Sequence, residues 1–114
     1  MSVSTFSQSR RYINTSKFQP YTYEELAAPA AYTTQIHVQL YNNIVDVKNF
    51  ILKVLASNID NQLATELKAD YEYFDYFANM LTKYGVSSGL IDAYQMACEK
   101  VSKHINAYNK RARG

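Results

Sequence analysis

The sequence predicts an all-α protein: an extended N-terminal arm, a proline-kinked entry turn and a three-helix antiparallel bundle in up-down-up order. Three long stretches carry apolar residues at spacings of three and four, which is the period of an amphipathic helix. Short polar connections separate these stretches, and helices joined by short turns usually pack antiparallel. With 114 residues, 47% of them apolar, the chain is expected to fold around one core.

Residues 1–22 are predicted to form an extended basic arm, and residues 23–114 the helical bundle. Ser, Thr, Asn and Arg dominate the first seventeen positions, where no helical or strand period holds. Arg10, Arg11 and Lys17 give the arm its charge, and no acidic residue balances them. The arm is predicted to dock, on its own chain or on another, through its apolar residues Phe6, Tyr12, Ile13 and Phe18.

Two prolines bracket the entry to the bundle. Thr22 and Glu25 have the spacing of a capping box, in which each side chain bonds the backbone N–H of the other residue. Pro29 interrupts the helix that begins there, because it lacks an N–H and clashes with the preceding turn. A new helix can start with Pro29 as its first residue. Residues between Pro20 and Pro29 are therefore predicted to form a kinked turn.

The first long helix is predicted over residues 30–57. One apolar stripe, expected to face the core, consists of Ile36, Leu40, Ile44, Val47, Ile51 and Val54 or Leu55. A second stripe lies roughly 100–160° around the helix, at ~100° per residue, and consists of Val38, Tyr41, Val45 and Leu52. Because one neighbouring helix cannot cover both stripes, the second one is predicted to bind a partner.

The second helix is predicted over residues 60–84. Asn58 or Asp60 can cap its start, and Gly85 marks its end. Its inward face is expected to comprise Leu63, Leu67, Phe74, Ala78 and Leu81.

Aromatic residues widen the apolar arc of this second helix to about half of its circumference. The favoured interpretation is a middle helix that contacts both neighbours. The alternative is that Tyr73, Tyr76 and Met80 face a partner, since tyrosine and methionine are enriched at protein interfaces. These three residues are therefore included in the predicted partner-binding set.

The third helix is predicted over residues 88–110, with Ser87 or Ser88 as its cap. The basic residues near its end suit the negative end of the helix dipole. Its predicted core stripe is Leu90, Tyr94, Ala97, Cys98, Val101, Ile105 and Tyr108.

No catalytic, metal-binding or cofactor-binding set is predicted. His37 and His104 lack the Glu three residues earlier that di-iron bundles use, so both are expected to be half-buried structural residues. Cys98 has no histidine within reach along its helix and is expected to be an inert core thiol. Asp70 is expected to be a half-buried carboxylate on an otherwise solvated acidic face. The chain is therefore predicted to be non-enzymatic.

Residues 18–29, FQPYTYEELAAP, and the following Thr33-Thr34-Gln35 resemble the N-terminal opening of small virion proteins of tailed bacteriophages. In those proteins an aromatic-Pro-aromatic segment, an acidic pair and a second proline precede a helical region. The resemblance implies a structural component of a phage particle, in which extended arms and helical hairpins bind neighbouring copies. It implies no catalytic residue. The expected location is the virion or the host cytoplasm, without secretion by a signal peptide.

The leading prediction is a structural or assembly component that binds a protein partner or itself through its arm and spare apolar helix faces. One alternative is a small regulatory adaptor that binds a host or phage protein through the same stripe. A third is a nucleic-acid accessory protein. It would use the basic residues Arg10, Arg11, Lys110, Arg111 and Arg113. Neither a membrane nor a small-molecule substrate is indicated.

Overall fold

A computed structural model of the chain describes Ile13 and residues 34–113. Within that part the chain forms three α-helices and no strand: α1 is Thr34–Leu55, α2 is Asn61–Tyr84 and α3 is Ser88–Arg113. The predicted all-α class is therefore confirmed for the described residues. Apart from Ile13, the predicted arm and the proline-bracketed turn lie outside them.

Three helix ends differ from the predicted ones by one to three residues, while the end of α2 at Tyr84 and the start of α3 at Ser88 coincide with them. The predicted start of the first helix, at residue 30, lies outside the described residues. α1 stops at Leu55 because the next connection tightens: the Ser57 N–H bonds the Val54 carbonyl at 2.9 Å, a three-residue step. α3 continues to Arg113 rather than ending at residue 110. Ala112 explains the extra turn, since it is partly buried against the core.

Asp60, not Asn58, caps the start of α2. Its backbone is extended, and its Oδ1 accepts a hydrogen bond of 2.9 Å from the Leu63 N–H. The same carboxylate accepts from the Arg111 guanidinium at the far end of α3, with Nε at 3.0 Å and Nη2 at 3.1 Å. Asp60 therefore caps α2 and joins it to α3 at once.

Gly85 and Ser87 form the turn between α2 and α3. Gly85 has a φ of 81°, the left-handed conformation that glycine adopts without steric cost, and this ends α2. Ser87 Oγ accepts from the Leu90 N–H at 3.1 Å, so Ser87 rather than Ser88 is the cap of α3.

α2 packs against both other helices. The predicted core stripe of α1 is buried, and Phe74 lies at the centre of the aromatic packing, edge-to-face with Phe77 at 5.7 Å and with Tyr94 at 6.0 Å. The stripe predicted for α3 needs one correction. Ile91 is buried, whereas Leu90 and Ala97 are only partly buried at its edge.

The contacts between α2 and α3 run in opposite order along the chain. Asp60 meets Arg111, Asp70 meets His104, and Phe74 meets Tyr94. This is the contact order of an antiparallel helix pair.

Ile13, in the predicted arm, is bound to α3 through its main chain. Its N–H donates to Asn109 Oδ1 at 2.9 Å, and its carbonyl accepts from Asn109 Nδ2 at 2.9 Å. Both residues are buried. The carboxamide thus satisfies both main-chain groups of residue 13, as a neighbouring β-strand would.

Asn109→Ala is expected to lower the free energy of unfolding by about 1–3 kcal/mol, because it leaves the two Ile13 main-chain groups without their partner. Urea denaturation measures this loss, with Asn106→Ala at an exposed position of the same helix as the matched control. The Ile13 amide should also exchange its hydrogen faster in the Asn109 variant. Equal stability of the two variants would show that the contact contributes nothing.

Candidate functional site

A long apolar groove runs between α2 and α3 on the molecular surface. Its main part has a volume of about 750 Å³. It is lined by Ala69, Glu72, Tyr73, Tyr76 and Phe77 of α2 and by Ala93, Met96, Ala97 and Lys100 of α3. We call this surface the α2/α3 groove.

The groove continues toward the turn between the two helices. A second depression of about 270 Å³ shares Tyr76, Phe77 and Ala93 with the main part, so the two are continuous. Met80 and Tyr84 line this end from α2. The lining is therefore aromatic and aliphatic along several helical turns.

Several large side chains of the groove are strongly exposed for their type. Tyr73 and Tyr76 are 51% and 57% accessible, and Met96 is 70% accessible. Lys100 Nζ lies 5.4 Å from the centre of the Tyr73 ring, a cation–π distance. Exposed aromatic and methionine side chains that share one groove are typical of a protein-binding surface.

Three members of the predicted partner-binding set line this groove: Tyr73, Tyr76 and Met80. Met96 was not part of that predicted set, because it lies outside the apolar stripe of α3. Met96 joins the groove only because α2 lies beside α3 and supplies the opposite wall.

A second apolar surface lies on α1. Val38, Tyr41 and Leu52 are exposed there, and Val45 is partly buried. These four residues are the second stripe predicted for this helix, and we call them the α1 stripe.

The α1 stripe and the α2/α3 groove belong to different sides of the bundle. On α2, the side toward α1 carries Asp75, bonded to Lys48 at 2.8 Å, and Tyr71, whose ring centre is 5.2 Å from the same ammonium. Tyr73 points to the groove instead, about 160° around the helix from Tyr71 at ~100° per residue. The described part of the chain therefore carries two separate exposed apolar surfaces.

Asp70 is more buried than the sequence predicted. It was expected to be half-buried, but only 3% of it is accessible, and its Oδ2 lies 2.7 Å from Nδ1 of the partly buried His104. Burial raises the pKa of the Asp70 carboxyl, while the hydrogen bond to His104 and the nearby Lys100 ammonium act in the opposite direction. This carboxylate tolerates burial because an imidazole from α3 satisfies it.

Glu66, one helical turn before Asp70, disfavours the charged form of the Asp70 carboxyl. One of its carboxylate oxygens is buried without a hydrogen-bond partner among the described residues. Its negative charge further raises the pKa of Asp70. The arrangement pairs one acid of α2 with one imidazole of α3.

Among the basic residues proposed for nucleic-acid binding, Arg111 is already engaged. It binds Asp60 with two nitrogen atoms and lies 6.0 Å from the centre of the Tyr108 ring. Lys110 and Arg113 are exposed. The arm's Arg10 and Arg11 lie outside the described residues.

Cys98 and the two histidines occupy positions of the kind that the sequence predicted. Cys98 is 1% accessible, and burial raises the pKa of its thiol to about 12. His37 and His104 are partly buried. Within residues 34–113 and Ile13, no three His, Cys, Asp or Glu side chains converge as a metal site would require. None of the described helices combines the length and apolar character needed to cross a bilayer.

Four predicted anchors belong to the arm, and the structure describes one of them. Ile13 is buried in its own chain, against α3. Phe6, Tyr12 and Phe18 lie outside the described residues.

Comparison of the chain with protein-family models, with curated proteins and with solved structures found no match.

The raised pKa of Asp70 predicts a pH-dependent stability. Between the pKa of the unfolded carboxyl and the higher folded value, the folded state binds more protons, so stability falls as pH rises through that window. Asp70→Asn should remove this component. Urea denaturation from about pH 4 to about pH 7 measures it. Asp46→Asn, at an exposed position of α1 outside both apolar surfaces, is the control and should keep the wild-type slope. An unchanged slope in Asp70→Asn would exclude this origin.

The Cys98 thiol should be unreactive in the folded protein. With a pKa of about 12 it holds almost no thiolate near neutrality, and it is 1% accessible. A thiol-reactive chromogenic disulfide at about pH 8 should therefore label the chain only after unfolding in urea. Rapid labelling of the native chain would contradict the buried position.

Proposed function

We propose that the chain is a non-enzymatic structural or assembly component of a bacteriophage particle, acting through protein–protein contacts. The observation that carries this proposal is the presence of two exposed apolar surfaces, the α1 stripe and the α2/α3 groove, on a bundle whose core stripes are already buried. A helix bundle that worked alone would be expected to cover such surfaces with polar side chains. The resemblance of residues 18–29 to phage virion proteins is the reason for proposing a bacteriophage particle as the assembly.

The α1 stripe has the spacing used by helices that dock into grooves. Val38, Tyr41, Val45 and Leu52 follow one another at three, four and seven residues, so they form a line along one side of α1. Burial of an aliphatic side chain of this size contributes roughly 1.5–3 kcal/mol. Burial of the four side chains of the α1 stripe against a partner would therefore contribute several kcal/mol to the free energy of binding, even though each is only partly exposed.

The up-down-up order of the bundle belongs to the same proposal. The opposite contact order of α2 and α3 supports it, as does the short connection between α1 and α2 at residues 56–60. The main-chain bonds of Ile13 to Asn109 support an arm that docks on the outside of such a bundle.

A regulatory adaptor remains the alternative that would use the same stripe. It differs in where the chain is found: an adaptor would bind one protein in the host cell, whereas an assembly component is incorporated into particles. The location of the chain therefore separates the two classes better than its affinity for any one partner.

Particles purified from a producing culture should contain the chain, as measured by quantitative mass spectrometry. The double variant Val38→Asp/Leu52→Asp should be absent from the particles while its stability stays within about 1 kcal/mol of wild type, since both residues are exposed. Asn42→Asp/Asn49→Asp adds the same charge at exposed positions of the same helix and should still be incorporated.

Normal incorporation of the stripe variant would exclude the α1 stripe as the particle contact. Absence of the wild-type chain from particles, together with a coding gene that has no capsid, portal or tail genes beside it, would contradict the particle assignment and favour the adaptor.

A further inference from the structure

The α2/α3 groove carries opposite charges at the same level of its two walls. Glu72 lines it from α2 and Lys100 from α3. Their level is fixed by Tyr73, the residue after Glu72, because Lys100 Nζ lies 5.4 Å from the centre of its ring. The two charged side chains are both exposed and stand on opposite sides of one apolar surface.

This arrangement is self-complementary under one particular symmetry. A two-fold axis parallel to the helices lays α2 of one copy on α3 of another, and each Glu72 then meets the Lys100 of the other copy. A two-fold axis across the helices at this level instead sets Glu72 against Glu72 and Lys100 against Lys100. Like charges in contact disfavour the second arrangement.

We infer that the α2/α3 groove binds the same groove of a second copy of this chain, with the two-fold axis parallel to the helices. α2 and α3 of both copies then form four helices in which every neighbour is antiparallel, the usual arrangement of a four-helix bundle. This inference rests on the proposed protein–protein function and names the partner of one of its two surfaces.

The apolar residues of the groove are suited to such a contact. Ala69, Ala93 and Ala97 are small and allow the helices of a second copy to approach closely. Tyr76 and Met96 stand beside them and are more than half exposed. In the dimer these large side chains would pack against the alanines of the other copy.

The exposed area is in the range that a weak dimer needs. Tyr73, Tyr76 and Tyr84 are 51%, 57% and 73% accessible. A tyrosine that is fully buried removes roughly 150–250 Å² from water, so each of them offers roughly 75–180 Å². Counted on both copies with the remaining lining, this approaches the ~1,200 Å² at the lower end of stable interfaces. The dimer is therefore expected to dissociate on dilution.

Charge reversal tests the inference with the full chain. Sedimentation equilibrium from about 1 to about 200 μM should show a concentration-dependent dimer. Glu72→Lys and Lys100→Glu should each weaken it at least about tenfold, because each creates like-charge contacts across the axis. An equimolar mixture of the two variants should recover the wild-type dissociation constant as a heterodimer, since opposite charges then meet again. That recovery also shows that both variants are folded.

The controls are Glu99→Lys and Lys103→Glu, the same reversals at exposed α3 positions that do not line the groove. Both should dimerise like wild type. A wild-type monomer at every concentration, as expected if residues 1–12 or 14–33 or a different protein fill the groove, would overturn the inference. So would variants that match their controls, or a mixture that does not recover. A monomer that still enters particles through the α1 stripe would overturn this inference and leave the proposed function standing.

Discussion

The architecture depends on the width of the apolar arc on α2. A helix with one neighbour needs one stripe, but α2 carries aromatic or aliphatic side chains over about half of its circumference. Phe74 lies at the centre of the arc, buried edge-to-face between Phe77 and Tyr94. One flank of the arc meets α1 at Tyr71, and the other opens into the groove at Tyr73. Because α1 and α3 leave part of the arc uncovered, the bundle keeps an apolar surface.

Buried polar contacts fix how the helices align, while apolar packing supplies most of the free energy of folding. Apolar side chains tolerate rearrangement when volume and pattern are kept. The contact between Asp70 and His104 does not tolerate such rearrangement. Sliding α3 by one turn would move His104 away and leave the buried Asp70 carboxyl without its hydrogen-bond partner. Asn109 sets the position of Ile13 in the same way, through two main-chain bonds. α2, α3 and the arm residue therefore have one favourable register relative to one another.

The helices were predictable because their period is local, and the contacts between them were not. The sequence offered Asn58 and Asp60 as equal caps for α2. Arg111, 51 positions further on, distinguishes them by binding the Asp60 carboxylate. Asp70 was recognised as an acid within an apolar arc, but the sequence could not reveal that His104, 34 positions away, would satisfy it. The spacing of apolar residues predicts where the helices lie and which of their faces are buried. The hydrogen-bond partners between helices depend on the register of one helix on another, which that spacing does not give.

The candidate site likewise combines residues that could be predicted from one helix with residues that depend on how two helices align. The tyrosines of α2 could be proposed as contacts from their own helix, but Met96 and Lys100 join the site only after α3 is aligned with α2. The level of Glu72 opposite Lys100 is set by the Asp70–His104 contact between the same two helices. A buried polar contact of this kind often adds little net stability, since the cost of desolvation offsets its attraction. Here the contact also sets which charged residues lie opposite each other across the groove, Glu72 on α2 and Lys100 on α3, and the proposed self-association depends on that placement.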